Sequence, residues 1–210
     1  MFKISSLRLR IGLVGLLVLL LAAPASAHHA MEGQMPATFW QGFLSGLAHP
    51  VIGVDHLTFV VAAGLLAVTK RSGIWIPIAF VLAALGGTGL HLMSVSLPGA
   101  EFLIAASVLG FGILLALPQS PNLAVMIGLA ALAGIFHGYA YGESIVGAET
   151  TPLVAYLTGF SLIQLGIATI SAKVGQLAVR IVDHTPQSLR YAGFTICGLG
   201  AAFMVSRLGL

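Results

Sequence analysis

Read as hydrophobic and polar positions, the chain is a series of long apolar runs separated by short polar breaks. One run covers residues 11–23, and six more follow at about residues 38–69, 74–93, 101–117, 122–140, 152–174 and 191–207. About 20 apolar residues suffice for a helix to cross a hydrocarbon core of ~30 Å. The pattern predicts an all-α integral membrane protein with six transmembrane helices. The breaks are too short to hold a soluble domain, so residues 28–210 read as a single polytopic membrane domain.

The run at 11–23 stands apart from the others. Lys3, Arg8 and Arg10 precede it, and Pro24, Ala25, Ser26 and Ala27 follow it. A basic start, a short apolar stretch and small residues at a cleavage point make a secretory signal peptide, assigned to residues 1–27. The alternative is an uncleaved anchor. Cleavage after Ala27 would leave a chain that begins with His28 and His29 outside the cytoplasm.

The run at 38–69 is too long for one straight span: 32 helical residues would reach ~48 Å at ~1.5 Å per residue. It also contains Gly46, Pro50 and Gly53. Proline removes a backbone donor and favours the first turn of a helix. The expectation is a short external or re-entrant piece to about residue 48, then a spanning helix from about Pro50, with His49 at its N-terminus. Non-helical backbone at membrane depth survives only against protein or water. A break beside histidines therefore marks a site.

Composition agrees with the pattern. Of 210 residues, 58% are hydrophobic and 7% charged, and mean hydropathy is +1.04. Soluble domains carry about 25% charged residues. The 26 glycines suit close helix packing, and the lone Cys197 reads as part of a packed helix. The net charge of +3 is not gathered into a patch, which argues against nucleic acid as a partner. Lys70 and Arg71 close the first segment, and Lys173, Arg180 and Arg190 lie between the fifth and sixth. With an external N-terminus all five fall on the cytoplasmic side, as positive residues should. Arg207 is the exception.

Ionisable residues inside such segments cost at least ~2.5–3.5 kcal/mol each, which makes them functional candidates. His49, Asp55 and His56 fall within eight positions of the first segment. Imidazole and carboxylate donors suit Ni, Co, Zn or Cu better than Mg or Ca. In an unbroken helix His49 and His56 would stand ~10 Å apart along the axis. Either the break folds His49 back or the two serve successive stations. Asp55 reads as a ligand or as a group that orients a histidine. His137 and Tyr141, four apart near the end of the fourth segment, share a helix face. Gly134, Gly138 and Gly142 form a small-residue stripe beside them. His137 and Glu143 are candidates to complete a metal site with His49, Asp55 and His56. His28, His29, His91 and Glu101 are secondary candidates, although Glu101 also suits a helix first turn. Glu149, Asp183 and His184 read as solvated, and Trp40 and Trp75 as interfacial anchors.

These residues carry a family resemblance. His49, Pro50, Gly53, Asp55 and His56 resemble the H-P-x-x-G-x-D-H motif of the HupE/UreJ family of bacterial nickel/cobalt permeases. Glu101, Ile104, Ser107 and Val108 match its E-x-x-I-x-x-S-V pattern. His137, Gly138, Ala140 and Gly142 match its H-G-x-A-H-G-x-E pattern. Here Tyr141 takes the place of the second histidine, and Glu143 stands one place before that pattern's acid. Phe59 or a neighbour stands where many members have methionine, and a histidine often found in the fifth helix is missing after Gly159 and Phe160. The resemblance implies a bacterial inner-membrane protein with a periplasmic mature N-terminus. It would import Ni²⁺ or Co²⁺ without ATP, for hydrogenase or urease maturation.

The expected function is thus carriage of a divalent transition-metal ion through a His/Asp/Glu site. The ion is cargo, and no permanent cofactor is expected. Cu²⁺ and Zn²⁺ would also bind such donors, and no phosphate-binding loop is present. The partners are membrane lipid and the ion, with self-association into a homo-oligomer left open. Two other classes compete: an intramembrane zinc-dependent hydrolase, with Ser94 or Ser144 assisting, and an accessory subunit whose histidines hold partner helices.

Overall fold

A computed structural model describes residues 35–182 and 187–208. Seven helices make up the described chain: α1 Phe39–Ile52, α2 Val54–Ala67, α3 Trp75–Leu92, α4 Ala100–Ala116, α5 Leu123–Glu143, α6 Thr150–Val182 and α7 Gln187–Arg207. The signal-peptide assignment, together with His28, His29, Asp183 and His184, lies outside the described residues.

All six apolar segments are helical, but they are not six equal spans. Four helices, α3, α5, α6 and α7, are long and apolar enough to cross a membrane. The pair α1–α2 has the length of a fifth span but is bent by 80°. Helix α4, with 17 residues, falls short of the ~20 of an ordinary span. Helix α6 errs the other way: its 33 residues reach roughly 50 Å. Its last turns, with Lys173 and Arg180, outrun a hydrocarbon core.

The expected break beside Pro50 is corrected by the structure. Pro50 belongs to the last turn of α1, and the chain breaks three residues later, at Gly53. A proline there forfeits one backbone bond, to Gly46, which a terminal turn tolerates. Gly53 is extended (φ −71°, ψ 100°), and serves as the end of α1 and the cap of α2. Its N–H donates to His49 O at 3.1 Å, and its carbonyl accepts from Leu57 N–H at 2.8 Å. His49 therefore closes α1 rather than opening the next helix.

Glycine sets the spacing of the bundle. A Cβ on Gly42 or Gly46 of α1 would strike the backbone of α6, one on Gly64 of α2 would strike Ala168 O, and one on Gly138 of α5 would strike Ala84 O. Such contacts let helices approach without a layer of side chains. Helix α3 packs chiefly on α5, α4 on α7 and α1 on α6, while α2 runs through the middle and touches α3, α4, α6 and α7. Phe59, Leu66, Ile76, Phe80 and Phe111 fill the centre. Leu82, Leu132, Leu162, Ile170 and Phe194 face outward, as suits a surface solvated by lipid.

Candidate metal-transfer site

The bend at Gly53 turns the two motif histidines toward each other. His49 lies in the last turn of α1 and His56 in the first turn of α2, and their ring centroids are 5.9 Å apart. The glycine has a second task here. A Cβ at position 53 would sit 2.6 Å from His56 Cδ2, so the bare backbone leaves room for the ring. Asp55 precedes His56 in the first turn, where a carboxylate is favoured by the helix dipole. Its Oδ1 accepts from the His56 backbone N–H at 2.9 Å.

Helix α5 supplies the opposite wall. His56 Nδ1 and His137 Nδ1 are 2.8 Å apart, and both side chains are buried. The proton order follows from the surrounding groups. Ser107 of α4 donates its hydroxyl to Ile104 O at 2.7 Å. Its oxygen lies 3.0 Å from His137 Nε2 and must accept there. His137 then carries its proton on Nε2 and a lone pair on Nδ1. His56 Nδ1–H is the donor between the rings, which places the His56 lone pair on Nε2. This assignment rests on the hydrogen-bond network and on neutral rings.

His49 is held from the α5–α6 side. Its Nδ1 lies 2.9 Å from Ser144 Oγ and 3.2 Å from Tyr156 OH. The Tyr156 hydroxyl donates to Tyr141 O at 2.9 Å. Tyr141 fills the space among the histidines, with its ring centroid 4.6 Å from that of His56 and 5.1 Å from that of His49. Its hydroxyl donates to Gln164 Oε1 at 3.2 Å. Gln164 in turn donates to Phe160 O at 3.0 Å. Phe59 closes the floor, its ring centroid 4.6 Å from that of His137.

Of the residues singled out in the sequence, His49, Asp55, His56 and His137 gather at this junction. Glu143 does not join them: it is exposed at the end of α5. Six residues beyond His137 lies roughly 240° round a helix, on another face. The place that the family pattern gives to the acid is occupied by Ser144, and Ser144 is the residue that reaches His49. His91 packs on Tyr139, ring centroids 4.4 Å apart, and against Gly142. Glu101 pairs with Arg207 at 2.7 Å, and Arg207 also reaches Asp55 at 3.3 Å. Among the described residues, no three His, Cys, Asp or Glu side chains stand close enough together, as placed, to hold one ion.

Tyr156, Gln164 and the Arg207 contacts were not singled out from sequence. The single glutamine within the apolar run 152–174 was the available signal for Gln164. Tyr156 offered no comparable signal, and Arg207 stood out only as the exception to the charge distribution.

The HupE / UreJ protein family model matches residues 16–203. A curated relative, Protein HupE of Rhizobium leguminosarum bv. viciae, is 32% identical over 177 residues, covering 78% of this chain and 85% of the relative. No solved structure matches the chain.

Proposed function

The chain belongs to the HupE/UreJ family, and from that premise we propose that it carries a divalent transition-metal ion, Ni²⁺ or Co²⁺, into the cytoplasm through the histidine junction of α1, α2 and α5. The observation that carries this reading is the pair of converging Nδ1 atoms of His56 and His137, 2.8 Å apart in an apolar bundle. Two imidazole nitrogens bound to one transition ion at ~2.1 Å stand roughly 3.0–3.4 Å apart, for bond angles of about 90–110°. An ion can therefore take the place of the shared proton after a separation of tenths of an ångström. His56 would move that proton to Nε2 or release it. Asp55 supplies negative charge beside the pair and lowers the cost of a dication in a medium of low dielectric. Ser107 accepts from His137 Nε2–H and fixes which of its nitrogens faces the ion.

Tyr141 fills a place where the family pattern has histidine, and its hydroxyl is committed to Gln164. The junction therefore offers fewer nitrogen donors than that pattern, which suits an ion that must leave again. Short residence favours a carrier over a permanent metal centre. With the mature N-terminus outside, Asp55 and Glu101 face the periplasm and the Lys70 end faces the cytoplasm. A membrane potential of ~100 mV, inside negative, then favours entry of two charges by ~4.6 kcal/mol without nucleotide. Membership of a family of transport and accessory proteins favours carriage over the hydrolase alternative. Hydrogenase or urease maturation is the need that such an ion would serve.

The test is ⁶³Ni²⁺ uptake by cells expressing the wild type or His56→Ala. At least a tenfold loss is expected in H56A, with normal amounts of protein in the membrane. Wild-type uptake in that variant would refute the site.

A further inference from the structure

We propose that Arg207 is a built-in competitor for the transported cation: its guanidinium occupies the carboxylates of Asp55 and Glu101 and must be displaced before a dication can reach His56. The inference rests on the transport reading and adds a residue that sets apparent affinity.

Three helix ends meet at this point. Arg207 closes α7, Asp55 opens α2 and Glu101 opens α4. One nitrogen, Nη2, lies 2.7 Å from Glu101 Oε2 and 3.3 Å from Asp55 Oδ2. Asp55 has its other oxygen on the His56 backbone N–H. The oxygen that Arg207 holds is thus the one left to receive a cation, one residue away from the ring that meets His137. The trio also grades from outside to inside: the side chains of Glu101, Arg207 and Asp55 are 42%, 36% and 14% exposed. The outer acid is open and the inner one is largely covered.

The position of Arg207 runs against the charge distribution of the rest of the chain. Lys70 donates to Ser120 O at 3.1 Å and Arg190 to Ala116 O at 3.0 Å, both at the other end of α4. Arg190 finishes the last turn of α4, and Lys70 holds the loop that follows it. Arg207 alone among these three meets carboxylates, at the end where the acids and the histidine junction lie. The Glu101–Arg207 half of the trio is partly exposed, where ion pairs are weak and screened, so an incoming dication, with twice the charge, can open the trio from its outer side. The apparent dissociation constant is the intrinsic one divided by the fraction of molecules with the pair open. Removing the competitor therefore tightens binding, whereas removing a merely structural clamp would not.

The experiment measures the nickel concentration for half-maximal ⁶³Ni²⁺ uptake in wild type, Arg207→Gln and His56→Ala. The same titration is repeated on purified protein, by Ni²⁺-dependent thermal shift. R207Q is expected to half-saturate at roughly three- to tenfold lower nickel by both readouts. Arg207→Lys is expected to fall between R207Q and wild type, because a shorter, more strongly hydrated ammonium holds the acids less well. If R207Q does not accumulate, R207K carries the test on its own. Unchanged or raised half-saturation in the folded variants overturns the competitor, provided that H56A is inactive. Wild-type uptake in H56A overturns the transport reading, and the competitor falls with it.

Discussion

Glycine does opposite work in two parts of this bundle. Along the α3–α5 contact, a Cβ on Gly134 or Gly138 would meet the backbone of Phe80 or Ala84, and one on Gly87 would meet Ile135 O. There the missing side chains bring two helices together into a stiff wall, and His137 stands on that wall. At the α1–α2 junction the chain turns through 80° at a single glycine, Gly53. It swings His49 and His56 into one space and clears room for the His56 ring. One region fixes a histidine by close packing. The other brings two histidines to it by breaking a helix. Irregular backbone survives at membrane depth only where protein or water covers it, and a broken helix facing an intact pair meets that condition.

The comparison predicts different failures in the two regions. Gly138→Leu should have the largest effect. Its Cβ would collide with backbone, which cannot rotate away, so α3 and α5 must separate. Overpacking of this kind costs ~3 kcal/mol or more. The expected outcome is little monodisperse protein in detergent, read by size-exclusion chromatography. Well-folded G138L at wild-type yield would show that the wall is softer than its geometry. Gly53→Ala should be gentler on the fold and harder on function. Alanine tolerates the backbone angles at 53. The new methyl lies against the His56 ring rather than against backbone. Protein yield should be normal, and nickel uptake should drop by roughly tenfold, in the range seen when groups that support a metal ligand are disturbed. Normal uptake in G53A would mean that the ring position is not what this glycine protects.

The same contrast explains what could be read from sequence. Apolar run length located the helical segments among the described residues, because lipid leaves the backbone few other ways to satisfy its hydrogen bonds, but it did not show that the first run is two helices or that α4 is shorter than a span. Tyr141 and Gly138 fell on their expected faces because helical periodicity is rigid along an unbroken helix. The Glu143 side chain could have been excluded by the same arithmetic, since it lies a third of a turn away from the His137 face. The break was a different matter. Pro50 and Gly53 both interrupt helices, and local preference alone does not say which one yields. The choice falls to packing: Gly46 and Pro50 are buried within α1, where Gly46 meets the backbone of α6. The closeness of His49 and His56 depends on the bend angle, which no spacing rule supplies. Arg207 looked like a charge on the wrong side until the fold brought α2, α4 and α7 together at one end.

The smallest expected effect tests whether the wall and the junction are separate. Thr88 of α3 donates to Ala84 O at 3.1 Å within its own helix and to Gly138 O at 2.8 Å across the contact. Thr88→Val keeps the shape and removes the hydroxyl. Hydrogen bonds between membrane helices contribute ~0.6 kcal/mol on average, and the glycine contacts on either side remain. The thermal midpoint of purified T88V should fall slightly, with nickel uptake unchanged. A large loss of uptake at normal stability would mean that His137 is positioned through this one hydroxyl. The wall would then be part of the moving machinery rather than the fixed surface against which the broken helix works.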